Sequence, residues 1–216
     1  MELIQAIIDI FLHVDDHLHE IVRDYGAWTY AILFLVIFAE TGLVVTPFLP
    51  GDSLLFAAGA IAAGGSMHPG GLFLLLTAAA ILGDTVNYWV GSMVGTRVFK
   101  DDARILKTEY LERTERFYAK YGGKTIVIAR FVPIVRTYAP FVAGACLMNY
   151  PRFLFYNVFG GVVWVFLFVF GGYFFGNVPT VQENFSLVVV VIILLSVVPI
   201  VVEMVKDRRS RRPASS

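Results

Sequence analysis

Long apolar stretches separated by short polar segments run through the whole chain, and their lengths predict helices rather than strands. Segments 70–96, 152–176 and 185–205 are each long enough to cross a bilayer as one helix, because a crossing takes about 20 residues. The pattern therefore predicts an all-α integral membrane protein with three spanning helices.

Two other apolar segments, 28–63 and 125–148, are interrupted by proline. The motif PFLPGD breaks the first segment, and Pro133 and Pro140 divide the second. Proline lacks the amide hydrogen of a helix interior and its ring clashes with the preceding turn. Each segment is therefore predicted to be a re-entrant hairpin, which enters the membrane and returns to the same side.

An amphipathic helix is predicted in front of each hairpin, so that the chain repeats one order of elements. Each half contains an amphipathic helix, a hairpin and a spanning helix, and the halves cover 1–24, 28–63 and 70–96, then 100–121, 125–148 and 152–176. The tripeptide Ala-Gly-Ala at 58–60 returns at 143–145, and a GxxxG pattern begins at Gly91 and again at Gly172. Helix 185–205 and the basic tail 206–216 lie outside the membrane core, which is 25–176.

The composition of the chain supports a membrane location. Of the 216 residues, 57% are hydrophobic and 16% are charged, and the mean hydropathy is +0.72. These values are too apolar for a soluble domain of this size. The single cysteine, Cys146, excludes an internal disulfide and a cysteine metal cluster.

Basic residues orient the predicted helices, because lysine and arginine collect on the cytoplasmic side. Eight basic and five acidic residues lie between Arg97 and Lys124, and five basic residues lie between Lys206 and Arg212. Both regions are expected in the cytoplasm, which requires that segment 125–148 does not cross. The two halves then have opposite orientations, and such inverted repeats are typical of transporters.

Five charged residues lie at membrane depth, where an arginine costs roughly 2.5–3.5 kcal/mol, and they are expected to meet inside the bundle. They are Glu40, Asp52, Asp84, Arg130 and Arg136. Arginine offers a planar fork of donors to phosphate oxygens, and a carboxylate in a low dielectric holds a proton more readily. We predict that the two arginines and Thr137 bind a phosphate, and that the three acids couple to protons.

Other interpretations stay open at this point. The five charges could form a structural ion-pair network, although buried pairs add little net stability. The same acids would serve a proton-coupled transporter or channel for a small soluble solute. No histidine lies near the arginines, so no enzymatic activity is expected. His13 and His17 have the spacing of metal ligands, but they are predicted to lie on the wet face of the first helix, so no metal or cofactor is expected.

Two motifs resemble the signatures of the DedA family of bacterial inner-membrane proteins. They are ETGLVVTPFLPGDSLLF, from Glu40 to Phe56, and ARFVPIVRTYAPFVAG, from Ala129 to Gly144. Glycines around Asp84 fit a third, weaker pattern. The family is related to eukaryotic scramblases of the endoplasmic reticulum that share the VTT domain.

This resemblance implies a lipid flippase or scramblase of the bacterial inner membrane. Relatives are associated with the return of undecaprenyl phosphate or with phospholipid movement, and with dependence on proton motive force. The family's acidic pair corresponds to Glu40 and Asp52, and its arginine pair to Arg130 and Arg136. The expected partners are a phosphate-headed lipid, protons and the membrane, without nucleic acid. The lipid's identity, the direction of transport and assembly into a homo-oligomer stay open.

Overall fold

Every regular element is a helix in the computed structural model, which describes residues 26–43, 51–96, 108–176 and Val178. We number the α-helices of these ranges in chain order. They are α1 (Trp28–Gly42), α2 (Gly51–Ala63), α3 (Pro69–Val94), α4 (Thr108–Tyr121), α5 (Thr125–Ala129), α6 (Pro133–Ala145) and α7 (Tyr150–Phe175), with a 3-10 turn over Gly122–Lys124.

The two longest helices, α3 and α7, have 26 residues each, or roughly 39 Å of length. Both are long and apolar enough to cross a membrane. Each starts with a proline in its first turn and a polar cap: the His68 and Asn149 side chains accept from the backbone amides of Gly71 and Arg152. Their bounds differ from the predicted 70–96 and 152–176 by one or two residues.

Both segments that were expected to be broken contain two helices. In the first they are α1 and α2, and the residues between them include part of PFLPGD and lie outside the described residues. In the second, the break falls at Arg130–Val132, and Val132 is extended, as a residue before proline prefers. Pro140 does not break the chain as expected, because α6 continues through it.

Two of the shorter helices pack against the long helix of the other half of the chain, and two pack against the long helix of their own half. Helix α2 packs against α7, the long helix of the other half, and α6 packs against α3. Helices α1 and α5 pack against the long helix of their own half, α3 and α7 respectively. Each long helix is thus covered by elements from both halves.

Glycines allow close contact where α2 crosses α7. A Cβ atom at Gly59 would overlap the carbonyl oxygen of Val169, and one at Gly172 would overlap the carbonyl oxygen of Phe56. Backbones that approach this closely leave no room for a side chain, as at other small-residue helix contacts in membranes.

The crossing of α6 and α3 uses glycine in the same way. A Cβ atom at Gly144 would overlap the carbonyl oxygen of Tyr88, and one at Gly91 would overlap that of Phe141. The two glycine patterns that repeat in the sequence therefore lie at two corresponding crossings.

Large apolar side chains cover the outer surfaces of the long helices, where water would disfavour them and lipid would not. Those more than half exposed are Leu74, Met93, Phe155, Phe159, Leu167, Phe174 and Phe175. Beneath them lies a buried apolar core that includes Leu72 and Leu76 on α3 and Val165 and Val169 on α7. This arrangement is that of a helical membrane protein.

Helix α4 is the described part of the predicted amphipathic helix 100–121. Tyr118 donates a hydrogen bond to the carbonyl oxygen of Ala139 at 2.9 Å, and Leu111 packs with it against Phe141 and Val142 on α6. The apolar stripe of α4 is thus at least partly covered by the second broken segment.

Several predictions fall outside the described residues. They concern the first amphipathic helix 1–24 with His13 and His17, the C-terminal helix 185–205 and the tail 206–216.

The two neighbouring glycines of α7 provide a test of the close crossing. Gly172→Ala should lower the melting temperature of the detergent-solubilised protein by an amount equivalent to about 1–3 kcal/mol, because the new methyl group overlaps the backbone of α2. Gly171→Ala is the matched control, since its Cβ would be 4.0 Å from the ring of Phe56. Equal melting temperatures for the two variants would contradict the crossing.

Candidate functional site

The five charged residues expected at membrane depth lie together, and their ion pairs join acids of α1, α2 and α3 to arginines of the second broken segment. Each comes from a different part of the fold: Glu40 from α1, Asp52 from α2, Asp84 from α3, Arg130 from the residue after α5, and Arg136 from α6. They form two connected groups, one around each arginine.

Arg136 bridges the two acids of the first broken segment. Its Nη2 is 2.6 Å from Oε1 of Glu40, and its Nη1 is 2.8 Å from Oδ1 of Asp52. One guanidinium fork therefore spans two carboxylates from two helices. The side chains of Arg136 and Asp52 are 11% and 15% exposed, whereas that of Glu40 is 2% exposed.

Gly51 of the PFLPGD motif makes room for the Glu40 carboxylate. A Cβ atom at Gly51 would overlap that carboxylate, which lies against the first residue of α2. Asp52 is in the first turn of the same helix. Carboxylates are stabilised at a helix N-terminus by its unpaired amides and dipole, so the start of α2 favours both acids.

Arg130 forms the second group and is almost fully buried. Its Nη2 is 2.6 Å from Oδ2 of Asp84 and 2.7 Å from Oδ1 of Asn157 on α7. Its Nε and Nη1 atoms are buried and have no hydrogen-bond partner among the described residues. Gly160 and Gly161 leave space beside this guanidinium, since Cβ atoms there would lie 3.3 and 3.5 Å from its nitrogens. Arg130 therefore has two donors without a partner among the described residues. Arg136, in contrast, uses both of its terminal nitrogens on carboxylates.

Trp164 on α7 connects the two groups. Its indole Nε1 donates to Oδ1 of Asp52 at 2.9 Å. Its ring centre is 5.3 Å from the guanidinium carbon of Arg136 and 5.6 Å from that of Arg130. Both distances are within the range of cation–π attraction, and Trp164 is fully buried.

Thr137 follows Arg136 in the chain, and its described contact is made by its backbone carbonyl group. Its carbonyl oxygen accepts a hydrogen bond of 2.9 Å from Nδ2 of Asn87, which also donates to the carbonyl oxygen of Thr41 at 3.3 Å. Asn87 of α3 thereby joins α1 to α6. The predicted role of the Thr137 hydroxyl as a donor to phosphate stays a prediction.

The charge of the site is unbalanced when every group is ionised. Three acids face two arginines, which leaves one negative charge in excess. A net charge is costly in a low-dielectric interior. The uptake of one proton, or of another positively charged group, would balance the site. Among the described residues, no set of three His, Cys, Asp or Glu side chains could hold a metal ion.

Sequence reasoning found the charged groups but missed the uncharged residues that join them. Asn87 and Asn157 carried a usable signal, because each is a polar residue in an apolar helix that must satisfy its hydrogen bonds. Trp164 carried none, because a tryptophan in an apolar helix is equally consistent with ordinary packing.

Removing one charge of the Arg130 group should destabilise the protein more than removing both. Asp84→Asn should lower stability by about 3–5 kcal/mol, because it leaves a buried guanidinium without its counter-charge. The double variant Asp84→Asn with Arg130→Gln should recover most of the loss. Thermal unfolding in detergent measures both, and a double variant no more stable than the single one would contradict the pairing.

Comparisons with family models and with individual proteins point to the same family. The VTT domain family matches residues 49–174, more than half of the chain. Protein DedA of Escherichia coli strain K12 is 51% identical, with the whole of both chains covered. An uncharacterized membrane protein of Mycobacterium tuberculosis is 39% identical over 88% of this chain and 85% of the relative. Inner membrane protein YqjA of Escherichia coli K12 is 37% identical over 80% and 79%.

No solved structure matches the chain. The family match and the full-length similarity nevertheless agree with the charged motifs that the structure brings together. The chain therefore belongs to the DedA family of VTT-domain membrane proteins.

Proposed function

We propose that the protein is a lipid transporter, a flippase or scramblase that moves a phosphate-headed lipid across the bacterial inner membrane. Undecaprenyl phosphate and phospholipids are the candidate substrates. The observation that carries the proposal is the pair of buried Arg130 donors, Nε and Nη1, that lack a hydrogen-bond partner among the described residues. Unsatisfied donors on a buried cation are costly, and phosphate oxygens are acceptors that could satisfy them.

An inverted repeat would supply the path for the headgroup. The exchanged packing of α2 on α7 and of α6 on α3 supports it, as do the corresponding glycine crossings. In this proposal the two broken segments are re-entrant hairpins that enter from opposite faces and meet at the charged site. The phosphate crosses between them while the lipid tail stays in the bilayer.

The acids Glu40, Asp52 and Asp84 would couple this movement to protons. Glu40 and Asp52 hold both nitrogens of the Arg136 fork. Protonation of either acid would weaken that hold and leave the fork available to a phosphate oxygen. Loss of the proton would restore the ion pairs and release the headgroup.

The proposed location is the inner membrane, with several crossings and a cytoplasmic C-terminus. The relative YqjA is named an inner membrane protein, and the distribution of basic residues in the sequence supports the proposed orientation. We propose no enzymatic step, no cofactor and no nucleic-acid partner for this activity.

A proton-coupled transporter or channel for a small soluble solute is the second candidate, and the slight exposure of Arg136 and Asp52 favours it over a purely structural network. Competition separates the two functions. If the lipid tail contributes to binding, soluble glycerol phosphate should compete poorly with a phosphate-headed lipid. If only a soluble solute is recognised, glycerol phosphate should compete as well as the lipid does.

Arg136→Lys should reduce the transport of a labelled phosphate-headed lipid in proteoliposomes by at least about tenfold, while expression persists. Lysine keeps the charge but cannot span two carboxylates or a phosphate with a planar fork. Arg152→Lys is the matched control, because Arg152 is an exposed arginine at the start of α7. Normal transport by the Arg136→Ala variant would exclude a phosphate-binding site at Arg136.

Glu40→Gln should remove the dependence of transport on a pH gradient, because the amide has nearly the same shape but cannot exchange a proton. Transport is measured with and without an imposed gradient for the wild type and the variant. A variant that keeps the response of the wild type would exclude Glu40 from proton coupling.

A further inference from the structure

Trp164 belongs to the buried apolar core and also contacts the charged site. It is fully buried on α7, although other large aromatic residues of this helix, such as Phe159 and Phe166, are exposed. Its indole contacts three of the five charged residues: Asp52 through a hydrogen bond and both arginines through the ring. No other described side chain lies on both arginine groups in this way.

The two contacts of the indole have different chemistry. The ring face attracts a cation without neutralising it, at about 0.5–2 kcal/mol per contact. The Nε1–H group donates to the same Oδ1 atom of Asp52 that accepts from Arg136. A change at Asp52 therefore acts on the indole and on the Arg136 guanidinium together.

We propose that Trp164 is a positioning residue that holds both guanidinium groups in the orientation that accepts one phosphate and that links them to Asp52. This inference rests on the proposed lipid transport, which it deepens by making the two arginine groups one site. The aromatic face sets the affinity for the lipid phosphate. The indole N–H sets how readily Arg136 leaves Asp52, and therefore the rate.

Two substitutions separate these contributions. Trp164→Phe keeps an aromatic face and loses the N–H donor, so the maximal transport rate should change severalfold while the half-saturating lipid fraction stays near that of the wild type. Trp164→Leu loses the aromatic face as well, so the half-saturating fraction should rise about tenfold, as expected for the loss of two cation–π contacts. Both are measured in proteoliposomes with increasing mole fractions of labelled phospholipid or undecaprenyl phosphate.

Phe153→Leu is the matched control for a purely structural effect. Phe153 is a fully buried aromatic residue of the same helix, and its ring stacks on that of Tyr88 at 4.5 Å between ring centres. It should lower the melting temperature and leave the half-saturating fraction unchanged. The proposal is overturned if Trp164→Leu keeps the half-saturating fraction of the wild type, or if Phe153→Leu raises it equally.

A spectroscopic measurement avoids reliance on variants of Trp164 that fail to fold. The chain has three tryptophans, and the other two, Trp28 and Trp89, are 72% and 48% exposed. In the Trp28→Phe, Trp89→Phe variant, the emission of Trp164 should change saturably with phosphatidic acid and not with diacylglycerol. Unchanged emission would overturn the proposal. If the wild type moves no lipid but the emission responds, the transport proposal fails and the positioning role stands.

Discussion

The pairing of two buried arginines with three buried acids is the interaction on which the rest of the structure depends. A lone guanidinium buried in the protein interior would be disfavoured by several kcal/mol. Helices α1, α2, α3 and α6 must therefore bring Glu40, Asp52, Asp84 and Arg136 within hydrogen-bond distance of their partners. The close glycine crossings make this convergence geometrically possible, because they allow the short helices to lie directly on the long ones.

The two arginines differ in a way that the family motifs do not express. Arg136 is held by two carboxylates, whereas Arg130 has one carboxylate, one amide and two buried nitrogens without a partner in the described part of the chain. A phosphate would therefore meet spare donors at Arg130 and would have to displace carboxylates at Arg136. Such an arrangement allows the binding of phosphate at the arginines to depend on the protonation of the acids that hold Arg136.

Much of this was accessible from the sequence because apolar length and buried charge are strong signals in a membrane protein. The bounds of α3 and α7 followed from apolar length, and the charged site followed from the cost of isolated charge. The division of partners between Arg130 and Arg136 did not follow, because it depends on how each helix is rotated about its axis. The continuation of α6 through Pro140 was also missed, since tertiary contacts with α3 override a local preference.

The central claim is that the buried guanidinium groups recognise a lipid by its phosphate. The most direct test is to compare the transport of labelled undecaprenyl phosphate and labelled undecaprenol, which differ only in that group, in proteoliposomes of the wild-type protein. Faster, saturable movement of the phosphate lipid alone is the predicted result. Equal movement of both lipids would contradict the account.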